Sequence, residues 1–156
     1  MMTCSGVQAE WCMNRCQKVW TVDSRRVLDG SKGDNMSETQ SSDAVELQRV
    51  CALLQQGRNQ FFAGDYTSAE KTFLELKRTA IEDAARNCAR IHLGTTFEIQ
   101  NTPYTYRDAE ENRVNKAWLV RAALEFEGVL SDNATVEQRE HAETRLAAIY
   151  KLREME

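Results

Sequence analysis

The sequence predicts an all-α fold, an antiparallel αα-hairpin stack of about five helices, and three observations carry that prediction. There is one proline, Pro103, in 156 residues, and only seven glycines; a sandwich or barrel needs many tight turns and more of both. After Ser42, apolar residues recur at spacings of three and four, the period of a helix face. Polar breaks at Gly64-Asp65, Asn101-Thr-Pro103 and Ser131-Asp-Asn133 divide that pattern into segments.

Each segment reads as a helix with its own start signal and stripe. Asp43-Ala-Val-Glu46 has the form of a capping box, and Leu47, Val50, Leu54, Gly57 and Phe61 form the stripe that follows, to about Ala63. Thr67-Ser-Ala-Glu70 has the same form and opens a second helix on Ala69, Phe73, Leu76 and Ala80. A third runs from about Glu82 to Gln100 on Cys88, Ile91, Leu93 and Phe97. It ends before Pro103, since proline disfavours helix at the residue preceding it. A fourth lies within about Arg107–Leu130, on Trp118, Ala122, Phe126 and Val129. Thr135-Val-Glu-Gln138 caps the last, which carries Ala142, Leu146 and Ile149.

Residues 1–40 differ from the helical domain at 41–156. They hold Trp11, Trp20 and three of the five cysteines, show no sustained period and end in a polar run. Three readings stand: a disordered or partner-ordered arm, a targeting peptide, or a stretch ahead of a native start at Met36. Arg15, Arg25 and Arg26 favour the second reading, and Glu10 and Asp23 oppose it.

Net charge is −4, which argues against a broad footprint for nucleic acid or an anionic membrane. No apolar run is long enough to span a bilayer. Cys51 and Cys88 sit in helical stripes and read as buried free thiols, which places the chain in a reducing, cytoplasmic setting. Cys4, Cys12 and Cys16 offer a redox or metal role as a third functional reading, but Cys12-x3-Cys16 lacks a second Cys/His pair at zinc spacing, so no metal and no cofactor is expected.

Leu53-Leu-Gln-Gln-Gly57-x3-Phe61-Phe-Ala-Gly64-Asp-Tyr66-x2-Ala69-x3-Phe73-x2-Leu76 resembles a tetratricopeptide repeat. The match rests on a small residue at the helix crossing, a Gly-Asp-Tyr turn, and a small and a large residue on the second helix. Leu93-Gly94-x2-Phe97 and Ala122-x3-Phe126 look like the halves of a second unit. Gly57 and Gly94 are 37 residues apart, close to the usual period of about 34. The second unit carries an excess of about sixteen residues between its halves, either a loop or a lengthened fourth helix. The last helix resembles half a repeat or a cap. Gln56 and Gln60 depart from the family's apolar preference.

The resemblance implies a non-enzymatic adaptor or scaffold that binds a partner peptide or helix along the first helix of each hairpin. Gln55, Arg58 and Phe62 are then the binding residues of the first helix, and His92, Thr95 and Glu98 those of the third. Leu54 and Arg58 stand where the chaperone-binding subset of the family has lysine and asparagine, which argues against a chaperone C-terminus as the ligand. A second reading is a structural or self-associating (homo-oligomeric) subunit, with Trp118, Tyr104 and Tyr106 as a contact patch. Enzymatic motifs are missing: only His92 and His141 occur, not at metal-ligand spacing, and no phosphate loop or nucleophile elbow is present.

Overall fold

The structure, a computed structural model, describes residues 38–100 and 109–154. Among these, five helices follow one another: α1 (Glu38–Phe62), α2 (Tyr66–Thr79), α3 (Asp83–Gln100), α4 (Ala109–Ser131) and α5 (Val136–Glu154). Each packs chiefly on the next in sequence, and α1 with α3 and α3 with α5 also touch. The result is a stack of antiparallel hairpins, with α1, α3 and α5 in one layer and α2 and α4 in the other. The predicted stripes form a single core. Val50, Leu54, Phe73, Leu76, Leu93, Phe97, Ala122, Phe126, Val129, Leu146 and Ile149 are all buried in it.

Two starts differ from the sequence reading. Asp43 does not cap α1, which begins at Glu38, inside the stretch read as arm. No glycine or proline stands between the two positions to stop the helix, and Glu46 pairs with Arg49 at 2.8 Å instead. The cap of α2 is Asp65, whose carboxylate accepts from the Ser68 amide at 3.1 Å, rather than Thr67. The preceding turn sets this up. Gly64 takes a φ of 82°, its amide donates to Phe61 and the Asp65 amide to Gln60, both at 3.0 Å. This is the Schellman closure, which needs a residue free of Cβ strain.

The third box forms as written. The Gln138 amide donates to Thr135 Oγ1 at 3.2 Å and the Thr135 amide to Gln138 Oε1 at 3.1 Å. Gln138 Nε2 also donates to the Ala84 carbonyl at 3.0 Å, tying α5 to the start of α3. Gln138→Ala removes the reciprocal cap and the hydrogen bond that ties α5 to the start of α3. A loss of about 1–3 kcal/mol in urea unfolding is expected; an unchanged midpoint would show that the cap is redundant.

The excess in the second unit goes at least in part into helix, since α4 runs 23 residues from Ala109. Tyr104 and Tyr106 lie outside the described residues. The polar Gln60 is explained by its partner: Thr72 Oγ1 donates to its Oε1 at 2.6 Å. Asp132 fastens α4 to α3 by accepting from Arg86 and Arg90, each at 3.1 Å, while Arg90 also reaches the Gly128 carbonyl at 2.7 Å.

Candidate functional site on the three-helix layer

A glycine notch, a phenylalanine and a histidine recur at each hairpin. Phe73 of α2 lies against Gly57 so closely that a Cβ there would strike its ring, and Phe126 of α4 stands the same way against Gly94. The other side of each ring is covered by the next helix of the first layer. His92 stacks on Phe73 at 4.9 Å and 11°, and His141 meets Phe126 edge-on at 5.9 Å. The close approach of helices at each notch is what needs glycine.

Both imidazoles are held neutral. The His92 pKa is lowered to about 4, first by burial, then by the Arg58 guanidinium and by His141. That of His141 is likewise lowered to about 4, by burial and then by Arg145. His141 Nε2 makes no hydrogen bond. Neutral rings packed on phenylalanine are suited to contact rather than to proton transfer near pH 7. Among the described residues no group of three or more metal-ligating side chains is present.

The six residues named from sequence fall on the first layer in different states. Phe62 is 70% exposed and meets Phe61 edge-on. Arg58 lies over its ring, 5.8 Å from the centroid. Arg58 also acts on His92 across the gap between α1 and α3, so the structure brings these two together. Gln55 donates to Asn59 at 2.8 Å on its own helix. The Thr95 hydroxyl donates to the Ile91 carbonyl at 3.0 Å. Glu98 accepts both prongs of the Arg145 guanidinium from α5, with the Nε contact at 3.1 Å. Its charge is thereby balanced within the fold.

Arg145 and His141 were not singled out as binding residues, although they extend the same face onto α5. Their only signal in the sequence is that α5 continues the layer after α3. Trp118 is not a free contact group: it packs on Phe97 at 5.9 Å, with Arg121 above both rings. Cys51 and Cys88 are buried as read, but they are not free thiols. Both are disulfide-bonded.

No protein-family model matches the sequence, and comparison with curated proteins and with solved structures yields no match. No helix among the described residues is long and apolar enough to cross a membrane.

Proposed function

We propose that the chain is a non-enzymatic interaction module, a tetratricopeptide-like adaptor or scaffold that takes a partner peptide or helix on the α1–α3–α5 layer. The observation that carries this reading is Phe62, an aromatic ring left 70% exposed with Arg58 over it and His92 beyond. Aromatic and arginine side chains of this kind supply most of the energy at protein interfaces. The notched hairpins support the family resemblance through Gly57 and Phe73. The partner is a protein or peptide; the net charge of −4 disfavours nucleic acid. A cytoplasmic placement belongs to this proposal as well, and the two bonded cysteines count against it.

The test is affinity capture from native extract, with Phe62→Ala and Arg58→Glu beside the parent chain. Each variant is expected to lose captured partner by about tenfold or more, the effect of removing one interface anchor. Equal recovery by all three proteins would remove this face from the interaction. A structural, self-associating role is the second reading. It is favoured by Val120 and Leu124, one turn apart on α4 and 41% and 61% exposed. Sedimentation across a concentration series separates the two.

A further inference from the structure

Gln55, Arg58 and Phe62 on α1 precede His92, Thr95 and Ile99 on α3 by 37 residues each, the interval that also separates the two notch glycines. Residues at spacings of three and four share one face of a helix, so these side chains form matched rows that cross from α1 to α3. Arg58 and Thr95 make a polar row, and Phe62 and Ile99 an apolar row beyond it. The apolar row lies open: Phe62 is 70% and Ile99 43% exposed. The rows continue on α5. His141 covers Phe126 as His92 covers Phe73, which aligns the two helices. Three residues on, the Thr144 hydroxyl donates to the Glu140 carbonyl at 2.8 Å, as that of Thr95 does to Ile91 at 3.0 Å. Seven residues on, Ala148 stands where Ile99 does, so the outer row is apolar on all three helices.

Charge gives this face a direction. Four arginines lie on α1 and α3. Arg49 pairs with Glu46, and Arg86 and Arg90 pair with Asp132. Arg58 has no carboxylate partner among the described residues, although it is half-buried and lies over the Phe62 ring. Glu98, on α3, is already met by Arg145. On α5 the exposed charge one turn before Thr144 is Glu140. A carboxylate on a bound segment is therefore drawn to the α1 end and repelled from the α5 end. A guanidinium takes a carboxylate by two parallel hydrogen bonds, and apolar neighbours that exclude water strengthen the pair. Gln55 and Thr95 are engaged within their own helices, so Arg58 acts as a single fork. One fork matches a side-chain carboxylate, whereas a chain terminus calls for several converging donors.

We propose that the partner segment carries an Asp or Glu side chain beside apolar residues. It crosses the three helices with that carboxylate on Arg58 and its apolar side chains along Phe62 and Ile99. This rests on the interaction role proposed above and adds to it the chemistry of the partner.

The full chain is presented with a random peptide library displayed on phage. A selected peptide is then synthesised with a free and with an amidated terminus and titrated by fluorescence anisotropy. Selected sequences are expected to place Asp or Glu next to aromatic or aliphatic residues. Replacing that acid by its amide, Arg58→Gln and Ile99→Ser should each weaken binding by about tenfold or more. Arg58→Gln should cost nothing further once the acid has been replaced. Arg58 and Ile99 lie outside the core, so both variants keep the fold. Peptides that lack an acid, or hold their affinity without it, while Ile99→Ser still weakens them, overturn the acidic class and leave the interaction role standing. Binding that amidation of the terminus abolishes overturns the side-chain assignment. A chain that dimerises in sedimentation, and ceases to with Ile99→Ser, seats a second copy on this face and overturns it as well. Selection of no peptide that depends on Phe62 or Ile99 removes both the partner chemistry and the interaction role of this face.

Discussion

Replacing Phe126 with alanine is expected to lower folding stability by about 3–5 kcal/mol, as large buried aromatics do when truncated. The corresponding fall in Tm is more than about 10 °C for a domain of this size. Phe126 is fully buried. It fills the Gly94 notch and carries His141 on its edge, so its loss opens space between α3, α4 and α5 at once. Gly94→Ala attacks the same contact from the other side, and its methyl group would overlap the ring. A cost of about 1–3 kcal/mol follows from overpacking of this kind. The double variant should lose less than the sum of the two, by about 0.5–3 kcal/mol, because both disturb one contact. Strict additivity in denaturant unfolding would mean that the notch and the ring act independently.

Acid is expected to destabilise the fold in a window set by the two histidines. Their pKa values lie at about 4 in the folded chain, against 6.5 ordinarily. As pH falls from 6.5, the unfolded chain binds protons that the folded chain refuses, so stability drops. The loss levels off below about pH 4, where both states are protonated. At pH 5 it amounts to about 2 kcal/mol for His92 relative to neutral pH, and to less for His141, whose ring is partly open to solvent and screened by it. The groups facing these rings, Arg58 and Arg145, are cationic and deepen the effect. Asp65, Asp132 and Glu46 have lowered pKa values, so the stability that their charged forms contribute is lost as pH falls, toward the acid end of this range. Urea midpoints at pH 7.5 and pH 5 measure the effect. His92→Phe should flatten it more than His141→Phe does, and an equally steep profile in the double variant would assign it to other groups.

The helices were legible because period and breaks agree. The stripe on α2, from Ala69 through Phe73 to Leu76, is buried as read, and the Thr135–Gln138 box forms both of its hydrogen bonds. Starts were less legible. Asp43 and Thr67 carry the right chemistry for a cap, but a cap is decided by where the chain can stop being helical. That is a matter of Gly64 in one case and of no breaker at all in the other. The candidate site was legible in one helix at a time. Arg58 and Phe62 could be placed on one face from their spacing. That Glu98 is taken up by Arg145, 47 residues away, or that the two histidines cover two phenylalanines, depends on how the helices meet. Spacing within a helix carries no such information. The bonded state of Cys51 and Cys88 was hidden for a related reason: an apolar stripe accommodates a thiol and a disulfide equally well.

The glycine–phenylalanine–histidine arrangement has a direction along the chain. Each hairpin receives its covering ring from a helix made later: Phe73 waits for His92, and Phe126 for His141. During synthesis the first hairpin leaves one face of its central ring in water until α3 has emerged, and the second until α5 has. A fragment cut after any hairpin therefore ends on an uncovered aromatic. The stack gains its closure from the carboxyl-terminal side, so a nascent chain commits to the fold in the order in which it is translated, and a break near the end of the chain is felt in the hairpin before it.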